Sequence, residues 1–158
     1  MPMHESERNR LVKKLRLLIL GQSDMAQAAM GAMTLKERSL NDHAVRCMET
    51  GIVVCYARPF NKRNNAGYLC SKWAPEDPSM KEIHDELLDR RDQVYAHTDR
   101  TGARDIVNLD EMPGLPSPSY AERYQPLPLA LPRIITLAEA QQTRFREVAE
   151  EMQERLRT

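Results

Sequence analysis

Residues 51–57, "GIVVCYA", make a short apolar run that fits a buried strand as well as a buried helix, because periodicity cannot separate the two over so few positions. The residues before it decide the matter. From Ser39 onward Leu40, Ala44, Met48, Ile52 and Cys55 recur at steps of three to four, the spacing of one helical face, and the run stays in that register. The segment from Ser39 to Pro59 therefore reads as one helix, with Ser39 as its N-cap. Pro59 should end or kink it, with Arg58 biased away from helical geometry.

Working outward, Leu11, Leu15, Leu18, Met25, Ala29 and Met33 share a face of an earlier helix over roughly 8–35, which Gly21 is expected to weaken or bend. Downstream, residues 61–77, "NKRNNAGYLCSKWAPED", read as a loop from their Asn, Gly and Pro content. Trp73, the only tryptophan, is its expected packing anchor. A third helix starts sharply, with Asp77 as cap and Pro78 at the first helical position, and is expected to run to about Asp99. The last helix is expected to open at Thr136 and Glu139, which have capping-box spacing, and to carry Leu137, Phe145, Val148, Met152 and Leu156 to the C-terminus. Its many Glu and Arg residues read as a solvated face.

Between the last two helices, residues 110–132 hold six of the ten prolines and cannot be helical throughout. "ARDIVNL" (103–109) and "PLPLAL" (126–131) read as a short hairpin or edge strands. Four amphipathic helices, each burying one stripe, are most simply satisfied by an all-α, four-helix bundle. The expected organisation is one domain over 1–158, with 100–133 as a Pro-rich excursion.

Composition narrows the function. Lys plus Arg equals Asp plus Glu at 23 each, so no global field draws the chain to nucleic acid or lipid, and any polyanion must be held locally. Cys47, Cys55 and Cys70 form an odd set without CxxC pairing or zinc-like His spacing, so neither a disulfide framework, a metal nor a cofactor is expected. His43 and His84 are assigned to surface or boundary positions. The apolar stretch from Val12 to Ile19 is split by Arg16, and no run approaches the roughly 20 apolar residues that span a membrane. A reducing cytoplasm is the expected location. No Gly-rich phosphate loop, G-x-S-x-G or H-E-x-x-H is present.

One stretch breaks the helical pattern. On a wheel of about 100° per residue with Val94 at zero, Met80, Ile83 and Leu87 fall within about 40° of it and define the buried stripe of the third helix. Arg91 then lies at about +60° and His97 at about −60°, on the two shoulders of that stripe. Asp92 falls roughly opposite and should face solvent. One reading is structural: Arg91 pairs with an acid of a neighbouring helix, Glu49 being a candidate, and His97 is a satisfied boundary histidine. The other is chemical. An arginine supplies a permanently charged fork for phosphate, and a histidine exchanges a proton near neutral pH. Together they could cleave RNA without a metal, the histidine deprotonating a ribose 2′-OH and the arginine stabilising charge on the phosphate. A two-fold dimer would bring two histidines to one cleft, one as base and one as acid.

"RRDQVYAHTD" (90–99) resembles the R-x(4–6)-H motif of HEPN domains, in which Arg, a polar residue and a later His stand near the end of the third helix of a bundle. Arg91, Asp92 and His97 match those positions, with five residues between Arg91 and His97; Arg90 also satisfies the spacing. The resemblance implies a HEPN-like fold and metal-independent RNA cleavage by a homodimer, with Arg91, His97 and Asp92 catalytic. It also implies a toxin or defence role, with a small nucleotidyltransferase as antitoxin partner. Some members carry a tyrosine two residues after the histidine, which that partner modifies; this chain has Asp99 there. Arg58, Lys62 and Arg63, which have no acid among them, form with Arg90 a candidate grip for an RNA backbone, although Arg58, Lys62 and Arg63 read more readily as ordinary charges after a helix end. The rival to an RNA-cutting enzyme is a non-catalytic bundle, an antitoxin or adaptor that binds a protein partner or nucleotide.

Overall fold

A computed structural model describes residues 4–62, 64, 67–92, 104–108, 120–124 and 129–157, with side chains described outside the two strands. Among the described residues four α-helices form a helical bundle: α1 (Glu5–Glu37), α2 (Asp42–Ala57), α3 (Pro78–Arg90) and α4 (Leu131–Arg157). The run 51–57 is helical and completes α2. Two strands, β1 (Arg104–Asn108) and β2 (Tyr120–Tyr124), pair antiparallel with Ile106 opposite Glu122. The partner of β1 is thus "YAERY" and not the expected "PLPLAL", whose last residue, Leu131, already belongs to α4.

The two long helices, α1 and α4, run antiparallel and bury the centre of the molecule, so that Glu7 near the start of one meets Arg155 near the end of the other. Leu18, Met25, Ala28 and Ala32 from α1 face Ile134, Leu137, Ala138 and Phe145 from α4, all fully buried. α1 runs continuously through Gly21; a Cβ there would stand 3.0 Å from two ring carbons of Phe145. Its missing side chain lets the ring lie against the helix backbone, a close approach that only Gly permits without a shift. Ile52, Val53 and Tyr56 of α2, with Ile83 and Leu87 of α3, complete the core.

Several element ends differ from the sequence reading, each for a local reason. The N-cap of α2 is Asn41, whose side chain accepts from the Ala44 N–H at 2.9 Å, not Ser39; Asn caps at least as well as Ser, and Leu40 stays outside the helix. After α2, Arg58 keeps right-handed helical angles (φ −56°, ψ −46°) and Pro59 is absorbed into a 3-10 turn, Arg58–Phe60. There it takes an early helical position, where a proline costs no hydrogen bond. α4 starts five residues before Thr136, whose hydroxyl bonds back to the Pro132 carbonyl at 3.1 Å inside the helix. Pro132 occupies the first turn, so no capping box is needed at Thr136. The cap of α3 is Asp77 as read, accepting from Met80 N–H at 2.9 Å; α3 ends at Arg90, and the expected continuation to Asp99 lies outside the described residues beyond Asp92.

Trp73 anchors the loop before α3 from within a second 3-10 turn, Ser71–Trp73. It is 6% exposed and packs edge-on against Phe145 at 5.7 Å. Arg144 of α4 bonds the carbonyls of Lys72, Trp73 and Ala74, and Gln141 bonds the Trp73 carbonyl at 3.0 Å. These bonds satisfy backbone acceptors that a buried loop would otherwise leave unpaired.

Candidate functional site

The end of α3 carries the residues singled out by the motif. Arg91 follows the last α-helical residue, and its side chain is 23% exposed, a shoulder position as the wheel places it. Asp92 beside it is 66% exposed. The Arg91 guanidinium is hydrogen-bonded to the Asp92 carboxylate, so among the described residues its acidic partner is its own neighbour and not Glu49, which is buried in α2. Both residues line a cleft of about 390 Å³ whose other walls include Ala57, Phe60, Asn61 and Lys62. Three residues chosen from sequence, Lys62, Arg91 and Asp92, thus meet at one concavity, although Lys62 is separated from Arg91 by the whole of the intervening loop and α3.

The remaining candidates are placed elsewhere or fall outside the description. Arg90 is folded back along α3 onto Glu86, one turn earlier, at 2.5 Å. Arg58 reaches Asp24 of α1 at 2.6 Å, its side chain half exposed and that of Asp24 8% exposed. Burial nevertheless raises the Asp24 carboxyl above its ordinary range, outweighing the arginine that lowers it. His97 and Arg63 lie outside the described residues.

Beneath the cleft is a group that the sequence reading misplaced. His84 is 4% exposed and not a surface or boundary histidine. Its Nδ1 shares a 2.8 Å hydrogen bond with the hydroxyl of Tyr56, itself fully buried. The ring of Phe60 stands edge-on to it at 4.7 Å. Burial pushes the His84 pKa down to about 4, with nearby Asp85 and Lys81 acting in opposite directions, so the ring is neutral at physiological pH. Burial also raises the Tyr56 phenol, against a bond from Gln141 that lowers it. One turn's difference on the wheel would not have revealed this: the position is buried because Tyr56, in the last turn of α2, and Phe60, in the 3-10 turn after it, cover it.

Asp24 was missed too. An acid on the buried stripe of α1, next to Met25, was the available signal, since a carboxylate there requires a cation. Among the described residues no group of three or more His, Cys, Asp or Glu could hold a metal ion, and no described helix is long and apolar enough to cross a membrane. No known protein family, curated protein or solved structure matches the chain.

Proposed function

We propose that the protein is a metal-independent endoribonuclease of HEPN type, a four-helix HEPN-like bundle acting as a toxin or defence protein. The observation that carries the reading is the meeting of Arg91, Asp92 and Lys62 at one cleft at the end of α3, where the R-x(4–6)-H resemblance puts the reaction. In that reading His97 takes the proton from a ribose 2′-OH. The 2′ oxygen then attacks the adjacent phosphorus, the bond from phosphorus to the 5′ oxygen breaks, and the leaving oxygen takes a proton from a protonated His97 of a second copy. Arg91 stabilises the charge on the phosphate, and Lys62 holds the backbone nearby. Asp92, bonded to Arg91, orients its fork. RNA is the substrate, a homodimer the active form, and a nucleotidyltransferase antitoxin the partner that the resemblance implies.

The test is incubation of the purified chain with mixed RNAs in excess chelator, beside Arg91→Ala and His97→Ala. Cleavage to 2′,3′-cyclic phosphate ends by the wild type, lost in both variants, is expected. Intact RNA with the wild type, or equal cutting by the variants, refutes the proposal. Light scattering adds a second check, because a strict monomer could not build a shared site.

A non-catalytic bundle is the second reading, favoured by the ion pairs that already occupy Arg90 and Arg91. It predicts that Arg91→Ala lowers stability and leaves RNA untouched.

A further inference from the structure

A second concavity lies between the N-terminal part of α1, the Ser71–Trp73 turn and the last turns of α4, with a volume of about 510 Å³. Arg10, Lys14, Lys72 and Arg155 line it, against the single carboxylate of Glu151. Four cations against one acid leave a local excess of three positive charges, in a chain whose total is zero. Glu7, which meets Arg155 at 3.4 Å, reduces that excess without cancelling it. Among the described residues Arg10, Lys14 and Lys72 have no carboxylate partner. The floor is apolar, made by Leu11, Val148 and Met152.

Structure alone gives little reason for this arrangement. Lys14 is held with its ammonium 5.0 Å from the centre of the Trp73 ring, a favourable contact, but burial and then the charge of Lys72, with Arg10 and Arg155 behind it, oppose its protonation, and Cys70 offsets them only in part. Like charges collected in a partly enclosed space destabilise a fold unless an anion offsets them. The volume falls within the roughly 300–1,000 Å³ range of small-molecule sites.

We infer that this cleft binds an oligophosphate, either a free one or the phosphate tail of a nucleoside triphosphate whose base or sugar rests on Leu11, Val148 and Met152. Several cations fixed around one space match a ligand with several negative charges on adjacent phosphates, and arginine adds a planar fork suited to phosphate oxygens. The cleft is distinct from that of Arg91; Phe60, at the wall of one, connects through Phe145 to Trp73, beside Lys72 of the other. The inference does not depend on RNA cleavage.

Titration calorimetry of the full chain at low salt, with ATP, GTP, tripolyphosphate and a short single-stranded oligoribonucleotide, tests it. One-to-one binding of tripolyphosphate or a nucleoside triphosphate is expected. Lys14→Met and Lys72→Met should each weaken it about tenfold or more, the size of losing a hydrogen bond to a charged group. Arg91→Ala should bind as the wild type does. A triphosphate nucleotide binding more tightly than tripolyphosphate identifies the nucleotide as the source, and equal affinities identify the free oligophosphate. Lys14→Met should also raise the melting temperature of the ligand-free protein, because it removes the repulsion while keeping an apolar stem over Trp73. Should Lys14→Met fail to fold, the exposed Lys72→Met carries the comparison. Absence of binding, binding untouched by the lysine variants, or binding of the oligoribonucleotide alone overturns the inference.

Discussion

Acidification should destabilise this protein through His84, by an amount that follows from its burial. The ring is 4% exposed, bonded to the Tyr56 hydroxyl and flanked by Phe60, and its pKa in the folded chain is about 4 against an ordinary 6.5. The lowered value means that the unfolded chain binds the proton first. Above pH of about 7 both states are neutral and the group contributes nothing; between about 6.5 and 4 stability falls; below about 4 the loss is complete and constant. Integrating between pH of about 7.5 and about 5 gives a loss of about 2 kcal/mol at 1.36 kcal/mol per pKa unit. For a domain of this size that lowers the melting temperature by roughly 4–8 °C. The assay is urea denaturation at both pH values for the wild type and for His84→Asn, whose amide can still bond Tyr56. Other groups contribute equally to both proteins: Asp24, whose folded carboxyl is raised, acts in the opposite sense and cancels in the comparison. The wild type should lose about 2 kcal/mol more than the variant. Equal pH slopes for the two proteins, or a His84 titration midpoint near 6.5 by NMR, would refute the reasoning.

Three further outcomes follow from packing and charge. Arg58→Ala strips the partner from a nearly buried carboxylate and should cost about 1–2 kcal/mol, less than a fully buried pair because the guanidinium is half in solvent. Because the Asp24 carboxyl is then raised further, the variant should recover stability as pH falls, and Asp24→Asn should restore most of it at neutral pH by denaturant titration. Gly31→Ala places a Cβ 2.8 Å from Cγ1 of the buried Ile52, so α1 and α2 must separate; overpacking of about 1–3 kcal/mol should exceed the roughly 1 kcal/mol gained in helix propensity, and calorimetry should show a lower melting temperature. Phe145→Ala removes the ring that joins Phe60, Trp73 and Gly21, and should cost about 3–5 kcal/mol in the same measurement.

Helical spacing was legible without coordinates because it is local: the apolar steps through α1 and α4, the helical state of α2, the Asp77–Pro78 start of α3 and the shoulder position of Arg91 each depend on residues within a few turns. The inward face of α2 was not legible: of Leu40, Ala44, Met48, Ile52 and Cys55 only Ile52 is buried, and Glu49, Val53 and Tyr56 turn inward with it, Tyr56 to meet His84 of α3. The same locality explains what was misplaced. A capping position is chosen among neighbouring candidates by small differences, as between Ser39 and Asn41. A strand partner depends on register across a connection, and so "YAERY" rather than "PLPLAL" stands beside β1.

Pairings between distant positions needed the assembled molecule. Asp24 meets Arg58, Tyr56 meets His84, and Lys14 shares a cleft with Arg155 only because of how the helices cross. Residue types and their periods set which face of α1 and of α4 turns inward, while the buried face of α2 is turned toward Tyr56 and its contact with His84. The angle and offset at which those faces meet are set by side-chain volumes on both sides, with Gly21 and Gly31 allowing the closest approaches, and no single helix carries that information.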